Sequence, residues 1–216
     1  MLILVFDTET TGLPTERNAS IFDNDKWPYI VQLSYIIYDT IKNVVVELFD
    51  NIIDINDNGV ISEESIKIHG ITKEISKSKG MPIKLALEKF NNDVQKVDKV
   101  VGHNISFDKR VIMVECMRNK VQQQFNYNKY KKPEYCTMKN AIDICKLERI
   151  NKTGEKYFKY PSLSELYYNL FGEIPNGTHN ALIDIIVCLR CYIKLVYDQD
   201  VKSDFGIKYL FDKYDI

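Results

Sequence analysis

Five apolar residues, 2–6, run directly into FDTETTG (6–12), so a strand-length hydrophobic segment ends in two carboxylates, Asp7 and Glu9. On a strand, alternate side chains share a face, which puts both acids on the same side of one element. Like charges that close resist joint ionisation unless a cation sits between them. A strand emerging into a polar turn accounts for the threonines and Gly12. It does not account for two acids on one face, so the rest of the chain has to supply their partners.

The 216 residues (25.2 kDa) are ample for a single core, and 45% apolar with 27% charged residues is an ordinary globular composition. No run is long enough to span a membrane, and the apolar start is far short of a signal segment. The expected location is soluble and intracellular, cytoplasmic by default. Five scattered cysteines (Cys116, Cys136, Cys145, Cys188, Cys191) form an odd set that suits a reducing interior and reads as small buried hydrophobes. CLRC (188–191) has CxxC spacing but sits mid-helix without a second pair, so core packing outweighs a zinc or redox site. Asp143 reads as an acid outside any ligand set.

Periodicity predicts strands over 2–7, 30–38 and 44–53, the last two as an antiparallel hairpin because their link is short. A short helix over 62–69 is stopped by Gly70, and a longer one covers 82–97 with Pro82 in its first turn. A short strand at 99–102 leads to a helix over 106–124, and a last short strand at 135–138 to a helix ending near 147. Residues 148–160 read as an exposed basic loop before Pro161. Ser162 caps a helix over 163–171 that Gly172 stops, and a final long helix covers 180–197. The expectation is one mixed α/β domain over 1–197, with 198–216 a tail of unknown role.

The net charge of −1 conceals an uneven distribution: residues 120–160 carry ten Lys/Arg against four acids. A basic, tyrosine-rich stretch in an otherwise acidic chain suits an anionic polymer docking on one face. A solvated helix end plus loop accounts for it equally well.

Two further segments put acids among polar groups. In GHNISFD (102–108) a strand leads into a helix, so Asp108 falls in the first turn, where free N–H groups and the dipole favour an anion. Taken locally, a charge preference with Asn104 as cap is the simpler account. In GTHNALID (177–184) His179 stands at a helix entry, where a capping or surface role is commoner than catalysis. Asp184 lies inside the apolar run ALIDIIVCL, and an unpaired Asp there is costly to ionise without a cation or donors.

Together FDTETTG, HNISFD (103–108) and HNALID (179–184), in that order, resemble the DEDDh branch of the DEDD 3′–5′ exonucleases, which includes the epsilon proofreading subunit of bacterial replicative polymerase. IVQLS (30–34), IHGIT (68–72), CTM (136–138) and LSELY (163–167) agree with it, and the similarity spans from Phe6 to about Leu195. His179, five residues before Asp184, matches the histidine form of the family rather than its tyrosine form. The resemblance implies a ribonuclease H-like fold with a five-stranded mixed β-sheet flanked by α-helices.

It also implies Asp7, Glu9, Asp108 and Asp184 as carboxylates holding two divalent cations, Mg²⁺ or Mn²⁺, since oxygen ligands favour these over zinc. His179 would be the general base, a residue type that titrates near neutrality. By the same resemblance His69, Asn104 and Phe107 would contact the terminal nucleotide, with Thr8, Thr10 and Leu13 lining its pocket. Core packing for Phe107 and a helix cap for His69 stand as the plainer roles. The expected activity is release of 5′-nucleoside monophosphates from the 3′ end of single-stranded DNA or RNA, with DNA favoured. An exoribonuclease of the same branch and a non-catalytic nucleic-acid-binding module are the alternatives. A separate polymerase partner is possible, and no membrane is expected. Within the basic stretch, Lys129, Lys131 and Lys132 are the expected nucleic-acid contacts.

Overall fold

The apolar start forms β1 (Leu2–Thr10), the strand around which the other elements assemble. A computed structural model describes residues 1–56, 59–127 and 129–216, Tyr127 by its backbone alone; Asn128, inside the basic stretch, lies outside the described residues. β1 pairs antiparallel with β2 (Ile30–Asp39), and β2 with β3 (Val44–Asp54), as the short link between the latter two implies. The capped helix α1 (Glu63–His69) ends at Gly70 in the left-handed region, and α2 (Lys73–Lys79) follows from Thr72.

Next come β4 (Met81–Pro82), α3 (Ile83–Lys96), β5 (Lys99–Gly102) and α4 (Ile105–Arg118). β6 (Asn126–Tyr127) and β7 (Tyr130–Lys131) form a small hairpin before β8 (Glu134–Cys136) and the short helices α5 (Thr137–Asn140) and α6 (Ile142–Cys145). β9 (Glu148–Ile150), β10 (Lys156–Phe158), α7 (Leu163–Phe171), α8 (Ala181–Tyr197) and α9 (Lys208–Tyr214) complete the chain.

The main sheet is ribonuclease H-like, mixed, and has six strands in the order β4-β3-β2-β1-β5-β8, one more than the five expected. The sixth arises at Gly80. A side chain there would meet the Ser76 carbonyl and the Asp54 amide at 2.2 and 2.3 Å, so only glycine lets the chain leaving α2 run alongside the end of β3. Met81 and Pro82 then pair with Ile53 and Asp54, directly before the helix that Pro82 was expected to open.

Alternation along β1 divides the core. Ile3 and Val5 pack under α8, while Leu4 and Phe6 pack under α3 and α4. Phe6, Phe90 and Phe125 form an aromatic cluster with centroids 5.4–5.9 Å apart. Full burial of one such ring is worth roughly 2–3 kcal/mol. That cluster explains why α4 stops at Arg118 and not near 124. Phe125 turns back into the core, the Gln124 amide bonds Asn91 Oδ1 (2.9 Å), and Arg118 hooks onto the carbonyls of Asn24, Trp27 and Pro28.

Two more expectations differ. Residues 148–160 hold an antiparallel hairpin, β9 with β10, in place of a plain loop. Lys132 is no surface cation: it is 7% exposed and its Nζ donates to the Val97 carbonyl at 2.8 Å. Beyond α8, residues 198–216 carry α9 and bury Val201, Ile207, Leu210, Phe211 and Ile216 against the α8 side of the sheet. Arg190 on α8 ties this segment down, bonding Asp200 through two 2.8 Å contacts and reaching Glu173 while its guanidinium lies 3.7 Å over Phe171.

Candidate active site

The period-two alternation that buries Ile3 and Val5 carries Asp7 and Glu9 onto the α8 face as β1 leaves the core. Asp7 lies opposite Ser34 and Glu9 opposite Gln32 in β2. From the helix side, Asn180 caps α8 by accepting from the Leu182 amide (3.1 Å), which fixes the first turn and delivers Asp184 to the same place. Carboxylate oxygens of Asp7, Glu9 and Asp184 lie within 4.8 Å of one another. Asp108, in the first turn of α4, is buried beside them. It is turned toward Thr8, whose amide and hydroxyl both donate to its Oδ1 (3.1 and 2.8 Å). Three of the four acids thus form one cluster, with Asp108 contributing its field from the neighbouring element.

That field is large. Burial raises Asp7 well above the ordinary carboxylate range, and Asp108, Asp184 and Glu9 add to it. Glu9 is pushed up to about 8 by burial, then by Asp184 and Asp108. Asp184 rises through burial against the opposing bond from the His179 amide, and Asp108 through burial against the bonds from Thr8. No hydrogen bond offsets the burial of the Asp7 or Glu9 carboxyl among the described residues. An oxygen-only set spanning under 5 Å matches a hard cation, whose ligand oxygens lie about 2.0–2.6 Å from the ion. The residues present fit divalent metal.

His179 is exposed at the entry to α8, with φ +74°, and its amide donates to Asp184 Oδ2 (3.1 Å). Histidine is among the residues that tolerate the left-handed region, so the backbone conformation that brings this amide to Asp184 comes at little cost. A cavity of about 460 Å³ opens beside Glu9, and its lining includes Thr8, Thr10, Leu13, His69 and Phe107. Asn104 lies outside that lining, exposed at the N-cap of α4 with φ +59°. His69 is already engaged on both ring nitrogens: Nδ1 accepts from the Ile71 amide (3.0 Å), so Nε2–H donates to the Thr10 carbonyl (3.2 Å). Burial lowers its pKa, and the neutral ring ties α1 to the end of β1.

Sequence reasoning passed over Ser62, Glu64, Ser65 and Ile68, which α1 brings to the same cavity. It also passed over His103. That ring is bonded to Thr137 Oγ1 (2.9 Å) and to the Pro161 carbonyl (3.1 Å), and burial pushes its pKa down to about 4. A carbonyl only accepts, so Nε2 carries the proton and Nδ1 accepts from Thr137. The signal for Ser62 and Ser65 was present in the helix cap itself. For His103 only the fold supplies it.

The model of an exonuclease family, RNase T, matches residues 4–192. No curated protein sequence matches. Among solved structures, E. coli exonuclease I in complex with a dT13 oligonucleotide matches with a TM-score of 0.65 at 17% identity, over 98% of this chain and 43% of that one. The complex of the same enzyme with dA16 gives 0.65 at 18%, over 97% and 43%. A structure of exonuclease I interpreted in terms of processivity gives 0.68 at 20%, over 98% and 43%. The chain therefore spans less than half the length of these proteins, and at such identities the likeness speaks for the fold. With the family model covering most of the chain and the carboxylates gathered at the end of β1, the protein belongs to the RNase T exonuclease family.

Proposed function

We propose that the chain is a divalent-cation-dependent 3′–5′ exonuclease that releases 5′-nucleoside monophosphates from single-stranded nucleic acid, with DNA preferred. The observation that carries this reading is the cluster of Asp7, Glu9 and Asp184, partly buried, with no hydrogen bond to offset the burial of Asp7 or Glu9 among the described residues, and spaced for a hard cation. The oligodeoxynucleotides bound by exonuclease I support the substrate class. Mg²⁺ or Mn²⁺ held by Asp7, Glu9, Asp108 and Asp184 would activate the attacking water and stabilise the departing 3′ oxygen.

The chain's own groups do the rest. His179 accepts the proton of the attacking water as the new P–O bond forms and the bond to the 3′ oxygen breaks, and the proton then passes to solvent. Its exposed position leaves that exchange with solvent open. The cavity beside Glu9 takes the terminal nucleoside, with Phe107 offering a face tolerant of base identity and Leu13 among its lining. His69 and Thr10 hold the cavity wall through their mutual bond, leaving base and sugar to be gripped by shape.

The test uses 5′-labelled single-stranded DNA, duplex DNA and RNA of one sequence with Mg²⁺, Mn²⁺ or EDTA. A ladder of shortening labelled products on single-stranded DNA, abolished by EDTA, is the expected result. Immediate release of labelled mononucleotide would mean the opposite polarity, and degradation that survives EDTA would remove the cation mechanism. Preference for RNA would make the chain an exoribonuclease.

A further inference from the structure

The basic stretch divides into two hairpins at opposite ends of the sheet's strands, the edge at which β1 begins and the edge at which it ends. β6 and β7 lead into the start of β8, and Lys132 beside them reaches back to Val97, before β5 begins. β5 and β8 both run in the direction of β1, so Lys129 and Lys131 lie at the edge where β1 enters. Asp7 and Glu9 stand at the other edge. The β9–β10 hairpin belongs to that second edge. Its outgoing strand leads to Pro161, whose carbonyl accepts from His103, the residue immediately after β5.

The register of this hairpin sorts its side chains. Lys156 pairs with Ile150 and Phe158 with Glu148, and the Lys159 amide bonds the Leu147 carbonyl, so Leu147, Arg149, Tyr157 and Lys159 share one face. At its base that face is taken up: Leu147 packs against the core and Lys159 pairs with Glu165. The opposite face carries Ile150, Phe158 and Tyr160, exposed by 67, 42 and 53%, with the Lys156–Glu148 pair (3.1 Å) beside them. Arg149 and Lys152 are exposed on the same short hairpin. Exposed aromatic groups in a row mark a contact surface, and with Arg149, Lys152 and Lys156 against Glu148 and Glu155 the hairpin keeps a positive excess that suits a polyanion.

We propose that the Ile150, Phe158 and Tyr160 face of the β9–β10 hairpin is a stacking platform for single-stranded nucleic acid upstream of the 3′ end. The proposal rests on the exonuclease reading above. Bases stack on Phe158 and Tyr160, while Lys152 and Lys156 meet the phosphates. The His103–Pro161 bond sets where the platform stands relative to β5 and the Asp108 helix. A substrate long enough to reach the hairpin gains affinity there, whereas one confined to the cavity does not.

The test measures KM for a thymidine tetranucleotide and a thymidine hexadecanucleotide with Mg²⁺, using the full chain. The double variant Phe158→Ala/Tyr160→Ala is expected to raise KM for the long substrate by about tenfold or more, from the loss of base stacking on two rings, and so to erase the advantage of length. Circular dichroism and Tm should match the parent, because both rings are solvent-facing. Phe158→Trp/Tyr160→Phe should restore the advantage, and Lys129→Ala/Lys131→Ala at the far edge should keep it. The proposal is overturned if the parent gains nothing with length, if the double alanine variant keeps the gain, or if the far-edge variant loses it equally. Should the parent hydrolyse nothing, the exonuclease reading fails by itself. Fluorescence anisotropy of the labelled hexadecanucleotide then decides the platform: weaker binding by the double variant supports it, and equal binding overturns it.

Discussion

At the scale of single residues, Asp7 and His179 serve the same chemistry in separable ways. Asp7 belongs to the carboxylate cluster, and burial with three neighbouring acids raises its pKa well above the ordinary range. Asp7→Asn is expected to lower hydrolysis by about a thousandfold and to weaken the rise in Tm that Mg²⁺ produces. His179→Ala removes the proton acceptor but no ligand, so hydrolysis should fall by about 10²–10⁴-fold with the Mg²⁺-induced rise in Tm intact. Steady-state rates and thermal melts with and without Mg²⁺ check both variants. If His179→Ala abolished the thermal response, the ring would have to be a ligand. Asp7 and Glu9 were legible because strand alternation needs only two positions to act, and Asp184 because an acid inside an apolar run is conspicuous. Lys132 misled, since a charged residue in a basic stretch gives no local sign that its ammonium will be buried on the Val97 carbonyl.

At the scale of elements, residues 198–216 show how a segment without readable periodicity is held. Arg190 is 4% exposed, and its bonds to Asp200 and Glu173 join α8 to the segments on either side of it. Both acids are partly solvated, so their loss as partners costs less than in a fully buried pair. Arg190→Ala is expected to destabilise by about 2 kcal/mol, combining the broken pairs with lost packing on Phe171. Faster amide exchange should be confined at first to α9 and its approach, as hydrogen–deuterium exchange would read. Gly206 makes the same closure from the other side: a side chain there would meet the Asn43 carbonyl at 2.2 Å, and its own carbonyl accepts from Val45. Helix ends and caps such as Ser62, Gly70, Ser162 and Gly172 were readable because their chemistry is local. The end of α4 was not, because Val121 and Phe125 keep helical spacing while Phe125 is drawn into a cluster with Phe6 and Phe90.

At the scale of the whole molecule, the site is bought with stability. Glu9 has an ordinary value of 4.5 and is raised to about 8 in the folded chain. Between those values the folded state holds more protons than the unfolded state, so without metal the stability should fall as pH rises from about 5 to 8. The raised values of Asp7, Asp108 and Asp184 act in the same direction. Divalent cations bind the deprotonated cluster, so the Tm increase from Mg²⁺ or Mn²⁺ should be larger at pH 8 than at pH 6. Melts across that range in EDTA and in Mg²⁺ test it, and a metal response independent of pH would detach the cation from these acids.

By itself the sequence determined what local rules control: Asp7 and Glu9 on one face of a strand, Asp184 inside the apolar run of the last long helix, and Asp108 where β5 gives way to α4. Only the tertiary structure decided that these places meet. The parallel register of β1 with β5, the packing of α8 across both, and the sixth strand admitted by Gly80 join residues far apart in the chain. It also decided which half of the basic stretch shares an edge with the carboxylates. Strand direction and register come from how distant surfaces fill one another, and no periodicity within a single segment encodes them.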